Sequence, residues 1–129
     1  MIKLAKLKPG ESKMDNCKLS EKKCVPCTGT TPRLNDEQIN EYLRQVPTWC
    51  YTVETAGVKI RKKFSFANYS MAMAFINKMA AIAEAENHHP DHRLYNYRYV
   101  DVDLTTHSIR GMSENDFILA AKIDTIKME

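Results

Sequence analysis

Four histidines occur in the 129-residue sequence, and three of them, His88, His89 and His107, have a spacing that suits proton transfer. Histidine exchanges protons near neutral pH, because its unperturbed pKa is about 6.5. His88 and His89 directly precede Pro90, which favours an extended backbone at His89. His107 follows about 18 residues later, at the end of a predicted strand. Two loops of one compact domain can share a pocket, so general acid–base catalysis is one function that this pattern suits.

Two other interpretations of these histidines stay open on spacing alone. They could be exposed side chains in turns, which is the ordinary situation of a single surface histidine. They could also bind a metal, although adjacent side chains diverge on an extended backbone and no carboxylate follows at ligand spacing. The spacing does not choose among a proton-transfer site, a metal site and no site.

A CxxC motif, Cys24 to Cys27, is a second candidate for chemistry. Such a pair can have a lowered thiol pKa or supply two zinc ligands. The other cysteines, Cys17 and Cys50, do not make the second matching pair that a zinc knuckle requires. The start of the chain also lacks the apolar segment of a secretion signal, which argues against a disulfide framework. We expect a structural or incidental role, with redox or zinc chemistry as the alternative.

Composition limits the classes of protein to which the chain can belong. Apolar residues make up 43% of it, which suits one domain with one core, and a net charge of +3 is too small to indicate nucleic-acid binding. No apolar run approaches the roughly 20 residues that cross a bilayer. We therefore expect a cytoplasmic protein with no direct nucleic-acid or membrane partner. Residues 1–33, interrupted by Pro26, Gly29 and Pro32, are predicted to form an irregular, partly disordered arm before a domain at 34–129.

The elements that must position the histidines follow from periodicity and capping residues. Asn35 with Gln38, and Ser113 with Asp116, have the spacing of capping boxes, so each pair predicts the start of a helix. A change of apolar parity after Tyr95 requires a turn. In chain order we predict a helix at 35–47, strands at 49–54 and 58–66, a helix at 69–87, strands at 93–95 and 99–106 around a turn at 96–98, and a helix after residue 113. This order indicates an α+β domain with helices over an antiparallel sheet.

Three features depart from simple patterning. Lys62 interrupts the apolar alternation of the second strand, which predicts a half-exposed face. Glu84 and Glu86 lie in the last helical turn, where the helix dipole disfavours carboxylates, so something other than helix stability is expected to place them there. The last helix is apolar over a wide arc, from residue 117 to 126, which predicts cover on more than one side through subunit association.

Three stretches of the sequence form one combined pattern: residues 84–90, which end in His-His-Pro, residues 97–107, which end in Thr-His, and residues 111–116. Together they resemble the signature of the pterin-4a-carbinolamine dehydratase family. Trp49, the aromatic segment 64–69 and the arm at 23–27 extend the similarity, which covers roughly residues 20 to 126.

The resemblance implies a single α+β domain of order α-β-β-α-β-β-α, with a four-stranded antiparallel sheet and three helices packed on one face. It implies a homodimer or homotetramer. It also implies an enzyme that converts 4a-hydroxytetrahydropterin (the 4a-carbinolamine) to quinonoid dihydropterin and water by histidine acid–base catalysis, in tetrahydrobiopterin recycling. The reaction implied needs neither a metal nor another cofactor.

The resemblance also implies roles for particular residues. His88, His89 and His107 match the three active histidines of the family, with His88 and His107 expected to donate protons on either face of the ring and His89 expected near N5. Glu84 matches a carboxylate that orients an imidazole or binds the amino-amide edge of the ring. Positions that line the pterin are matched by Pro90, Thr106, Ser108 and Ile109.

Some positions differ from the family's pattern. Asn87 replaces an acidic residue, His92 stands where many members have an aromatic residue, and one extra residue lies between His89 and His107. These differences concern the shape and affinity of the pocket.

Two competing classes of function remain. Animal members of the family also act as dimerisation cofactors of a homeodomain transcription factor, so such a partner is expected here by analogy only. A zinc-binding regulator that uses Cys24, Cys27 and histidines is the other alternative.

Overall fold

The computed structural model describes residues 18–26, 29 and 31–128 of the chain. The helices and strands are α1 (Asp36–Leu43), β1 (Cys50–Glu54), β2 (Gly57–Ser65), α2 (Tyr69–Glu86), β3 (Asp91–Tyr95), β4 (Tyr99–Leu104) and α3 (Glu114–Asp124). Two short 3-10 helices add to them, at Leu19–Glu21 and His107–Ile109. The predicted α-β-β-α-β-β-α order is confirmed, whereas the disorder predicted before residue 18 falls outside the described residues.

The four strands form one antiparallel sheet in the order β1-β2-β4-β3. Strand residues alternate between the two faces, and Ile60, Val100, Val102 and Leu104 are completely buried on the face that the helices cover. They share one core with residues of all three helices. The opposite face carries charged side chains such as the Arg61–Asp103 pair. The prediction of three helices packed on one face is therefore confirmed.

Both hairpins have turns that their residues favour. The β1–β2 turn places Gly57 at φ 139°, a conformation that glycine adopts without a steric penalty. The β3–β4 turn covers the predicted residues 96–98 and places Asn96 and Tyr97 in the left-handed region. β3 begins earlier than predicted, at Asp91, and β4 ends earlier, at Leu104.

The predicted capping boxes are both present. The Asn35 side chain accepts from the Gln38 amide at 2.8 Å, and the Gln38 side chain accepts from the Asn35 amide at 2.9 Å. Ser113 and Asp116 form the equivalent box at the start of α3. However, α1 ends at Leu43 rather than near Pro47, and the chain between them forms successive turns in which the Gln45 and Val46 amides donate to the Tyr42 and Leu43 carbonyls.

The wide apolar arc of α3 is covered within the chain. Tyr42 of α1 stacks on Phe117 with ring centroids 5.1 Å apart. Leu19 of the arm is 3% exposed and belongs to the same core, and the Lys122 ammonium donates to the Ser20 carbonyl at 3.0 Å. The arc therefore gives no reason to expect a second subunit, contrary to our reasoning from the sequence. Oligomerisation remains a prediction from the resemblance.

Lys62 lies on the helix-covered face, as its place in the alternation requires. Its ammonium binds the Asp124 carboxylate at 2.7 Å, and the Trp49 indole donates to the other oxygen of that carboxylate at 3.1 Å. The interruption of the apolar pattern thus marks an ion pair with the last residue of α3. Among the described residues, no helix is long and apolar enough to span a bilayer.

Candidate active site

The end of α2 directs His88 into the protein. Asn87 has left-handed backbone angles (φ 54°, ψ 41°), and the His88 amide donates to the Ala83 carbonyl at 3.2 Å, which together form a Schellman motif. The turn places the His88 ring against α3, where Nε2 lies 2.7 Å from Asp116 Oδ1. The His88 side chain is 11% exposed and that of Asp116 is fully buried. The tight chain reversal at Asn87 therefore pairs a half-buried histidine with a buried carboxylate.

Asp116 is held by more than His88. Its Oδ2 accepts from the Thr106 hydroxyl at 2.8 Å and from the Ser113 amide at 3.0 Å. The Thr106 and Ser113 hydroxyls lie 2.7 Å apart. The carboxylate also stands in the first turn of α3, where the helix dipole favours negative charge. Both oxygens of Asp116 are thus engaged, which fixes the orientation of the carboxylate beneath His88.

Asp116 was not among the site residues predicted from the sequence. It was assigned only to the capping box, because its spacing from Ser113 accounts for one local hydrogen bond and reveals nothing about a partner 28 residues away. The signal that could have found it was the resemblance over residues 111–116, which ends at this carboxylate.

His89 points to the surface beside the last turn of α2. Its Nε2 lies 2.6 Å from Glu84 Oε2, and the two side chains are 54% and 77% exposed. A pair so exposed contributes little to stability. The contact instead gives the imidazole a defined orientation, which accounts for a carboxylate at a position that the helix dipole disfavours.

His107 begins the short 3-10 helix after β4. The loop around it is closed by two backbone hydrogen bonds between Thr106 and Gly111, of 3.0 and 3.4 Å. Arg33 secures this loop from outside, since its Nε donates to the Ile109 carbonyl at 2.7 Å. His107 Nε2 lies 3.7 Å from Asp91 Oδ2, too far for a hydrogen bond. The loop is therefore fixed, whereas the exposed imidazole can rotate.

The three histidines line one cleft with a volume of ≈ 290 Å³. Loops from the ends of α2 and β4 form it, which is compatible with the spacing. The predicted residues Thr106 and Ser108 also line this cleft. Glu84 and Pro90 line an adjoining hollow of ≈ 130 Å³, which shares His89 with the cleft.

Ile109 is not among the described residues that line the cleft. It is 6% exposed, and its place among the pterin-lining positions stays a prediction from the resemblance. Its carbonyl is the acceptor for Arg33.

A larger hollow of ≈ 520 Å³ lies on the other side of His107 and shares Thr105 with the cleft. Charged side chains such as Lys59 and Asp103 line it. Burial acts to raise the pKa of Asp103, but the hydrogen bonds and charges of Arg61 and Lys59 hold that pKa below its ordinary value. Within the described part of the chain, no group of three or more His, Cys, Asp or Glu side chains is arranged to hold a metal. Cys27, and with it the predicted CxxC pair, falls outside the described residues.

Residues 32–126 match the sequence profile of the family described as pterin 4 alpha carbinolamine dehydratase. The chain belongs to this family. A protein of Nitrosospira multiformis whose name is that of a pterin-4-alpha-carbinolamine dehydratase is 49% identical over 84% of this chain and 91% of its own length. A protein of Halorhodospira halophila with the same name is 44% identical over 84% of this chain and 96% of its own.

A solved structure has the same fold. The crystal structure of a transcriptional coactivator/pterin dehydratase from Brucella melitensis aligns with a TM-score of 0.64 at 34% identity, and the alignment covers 72% of this chain and 96% of that one. Both the curated relatives and the structure agree with the resemblance noted in the sequence.

Two departures from the pterin-4a-carbinolamine dehydratase pattern lie close to the cleft. Asn87 adopts the left-handed conformation, for which asparagine is among the most favoured residues after glycine. His92 pairs with Val102 on the helix-covered face of the sheet and lines the hollow beside His89. Asn87 itself lines the cleft, so an amide stands there in place of the acidic side chain, and all three histidines still line the cleft.

Proposed function

We propose that the chain dehydrates a 4a-hydroxytetrahydropterin to quinonoid dihydropterin and water. The C4a–O bond breaks, a proton moves to the departing hydroxyl and the proton on N5 is lost. The electron pair of the N5–H bond forms the C4a=N5 double bond, so the reaction moves protons and changes no net oxidation state. The observation that best supports this proposal is the His88–Asp116 pair, with a fully buried carboxylate, at a cleft that two further histidines share.

The Asp116 carboxylate gives His88 a defined tautomer. An ionised carboxylate only accepts hydrogen bonds, and its other contacts, the Thr106 hydroxyl and the Ser113 amide, are donors. Nε2 of His88 therefore carries the hydrogen, and Nδ1 is the nitrogen that exchanges a proton with substrate. In this proposal His88 acts as the fixed acid–base group on one face of the ring.

The side chains of the other two histidines are more exposed than that of His88. His107 is 73% exposed and can rotate, which suits a proton donor on the opposite face that also exchanges with solvent. His89 lines the same cleft with its Nε2 beside Glu84, and we assign it to the proton on N5. Each positioned proton transfer contributes roughly 10² to 10⁴ in rate.

The predicted pterin-lining residues divide into two groups. Ser108 is exposed at the cleft and is free to contact the ring, and Pro90 shapes the adjoining hollow. The Thr106 hydroxyl is already engaged by Asp116 and Ser113, so we assign it to holding the carboxylate. The proposed setting is tetrahydrobiopterin recycling, in which a pterin-dependent hydroxylase supplies the carbinolamine and a reductase consumes the product.

The test generates the carbinolamine in situ with a pterin-dependent hydroxylase and follows the formation of quinonoid dihydropterin. We expect the wild-type chain to accelerate dehydration, and His88→Ala and His107→Ala to reduce kcat by roughly 10² or more. Val53→Ala, which truncates a side chain that is 70% exposed on β1, controls for unspecific effects. A folded wild-type protein that gives no acceleration would refute the proposal.

A binding role is the second candidate, because the Brucella melitensis relative is named a transcriptional coactivator as well as a pterin dehydratase. A coactivator role requires a surface rather than the cleft. It predicts that His88→Ala, which slows dehydration, leaves partner binding unchanged. It also predicts that the expected homodimer or homotetramer, measured by sedimentation, persists in that variant.

A further inference from the structure

The arm before α1 reaches the histidine cleft. Pro26 lines the cleft, although it lies before residue 32, where the family match begins. The other described residues that line the cleft all have polar side chains: Asn87, His88, His89, Thr105, Thr106, His107 and Ser108. Pro26 is therefore the one apolar side chain among them.

Polar side chains alone provide little apolar contact for the flat faces of a fused heterocycle. Sites for such molecules are lined mainly by apolar groups, with a few polar side chains that set orientation. A proline ring is compact and rigid and loses little side-chain entropy when it is covered. The position of Pro26 thus complements the hydrogen-bonding groups that the rest of the cleft provides.

The backbone before Pro26 is anchored at two points. The Cys24 amide donates to Glu86 Oε1 at 2.8 Å. The Val25 amide donates to Asn115 Oδ1 at 3.0 Å, and Asn115 Nδ2 donates back to the Val25 carbonyl at 2.6 Å. The paired bonds at Val25 fix its peptide groups, so the residue that follows has a defined direction.

Both anchors are buried and adjoin the catalytic pair. Glu86 is 7% exposed and precedes His88 by two residues, and its second carboxylate oxygen lies 3.4 Å from the Lys122 ammonium. Asn115 is 3% exposed and directly precedes Asp116. Residues 24 and 25 of the arm are therefore attached to the same two helices that hold the His88–Asp116 pair.

We propose that Pro26 is a substrate-contacting wall of the cleft that packs on the planar ring of the pterin, and that Val25, through Asn115, is its positioning residue. The inference rests on the proposed dehydration and adds a specificity determinant to it. Contact with Pro26 stabilises bound substrate, and removing it leaves the three histidines and Asp116 in place. Its loss therefore raises KM and leaves kcat nearly unchanged.

Pro26→Ala removes the ring and leaves the anchoring hydrogen bonds intact. Covering a few tens of Å² of apolar surface corresponds to about a fivefold change in affinity. We expect KM for the carbinolamine, and Kd for 7,8-dihydrobiopterin measured by fluorescence titration, each to rise about fivefold, with kcat changed less than twofold. Pro32→Ala is the matched control, because it makes the same change at an exposed proline of the arm that does not line the cleft.

Val25→Pro tests the anchor. It removes the amide that donates to Asn115 at a residue whose side chain is 63% exposed, so the core stays intact. We expect the same rise in KM and Kd as for Pro26→Ala, and a double variant no worse than either single one, since both act through one wall. An additive effect, or a fall in kcat with KM unchanged, would overturn the positioning role.

The outcomes separate this inference from the proposed function. If the wild type dehydrates the carbinolamine and Pro26→Ala matches it in KM and Kd, the wall is refuted and the dehydratase stands. If the wild type binds dihydrobiopterin in a Pro26-dependent way without accelerating dehydration, the wall stands and the enzyme assignment fails. A wild type that does neither overturns both.

Discussion

Asp116→Asn isolates the role of the carboxylate beneath His88. Asparagine has nearly the same shape and retains one oxygen, which can still accept from the Ser113 amide and the Thr106 hydroxyl. The new amide group then faces His88 Nε2. Because an amide NH₂ only donates, Nε2 must become an acceptor, and the hydrogen moves to Nδ1. The nitrogen proposed to exchange protons with substrate is thereby blocked.

The expected loss of kcat follows from the changed tautomer and from the proton transfer that it blocks. An inverted tautomer in a comparable histidine–carboxylate pair of a serine protease costs about 10⁴ in kcat, and one proton transfer contributes roughly 10² to 10⁴. We therefore expect kcat to fall by between about 10² and 10⁴. Three hydrogen bonds to a charged acceptor become neutral ones, while one buried charge disappears, so the free energy of unfolding should fall by only about 1–3 kcal/mol.

Three measurements check this prediction. Dehydration kinetics give kcat, fluorescence titration gives the Kd of 7,8-dihydrobiopterin, and ¹⁵N NMR of the imidazoles gives the His88 tautomer. Asp124→Asn is the matched control, since it makes the same change at the other end of α3, where the carboxylate binds Lys62 and Trp49. A folded Asp116→Asn protein with wild-type kcat, or with the hydrogen still on Nε2, would refute the reasoning.

Two further predictions concern stability. The Cys24 amide, opposed by burial and assisted by the charge of Lys122, lowers the pKa of Glu86 below its ordinary value. A lowered folded-state pKa contributes stability that is present above the unfolded pKa of about 4.3 and is lost as the pH falls through the folded pKa. Urea titrations at pH 7 and pH 3 should therefore show a smaller acid loss for Glu86→Gln than for wild type, and equal losses would contradict this. Asn87→Ala should cost about 1–2 kcal/mol at the left-handed position, whereas Asn87→Gly should be nearly neutral in the same titrations.

Local features of the fold could be predicted because their causes lie within a few residues of one another. The capping boxes at Asn35 and Ser113, and the turn at 96–98, each involve groups no more than four residues apart. Strand alternation likewise determines which side chains share a face. The order of elements and the single apolar face of the sheet follow from such patterns, and the resemblance to the family agrees with them.

The end of α1 and the cover of α3 could not be predicted in the same way. Whether the chain stays helical between Leu43 and Pro47 depends on what packs there. The apolar arc of α3 indicated only that something covers it, and the arm that does so contributes Leu19 from about a hundred residues away. Apolar periodicity shows how much of a helix surface must be buried, but it does not identify the segment that covers that surface.

The candidate site also has features that the sequence indicated and others that only the tertiary structure shows. Residue types and spacing were compatible with a pocket shared by His88, His89 and His107, because loops at the ends of α2 and β4 can meet in a small domain. Only the tertiary structure pairs His88 with Asp116 and brings Pro26 to the wall of the cleft. These contacts join residues far apart in the chain, and their geometry depends on how the helices, the arm and the sheet pack together.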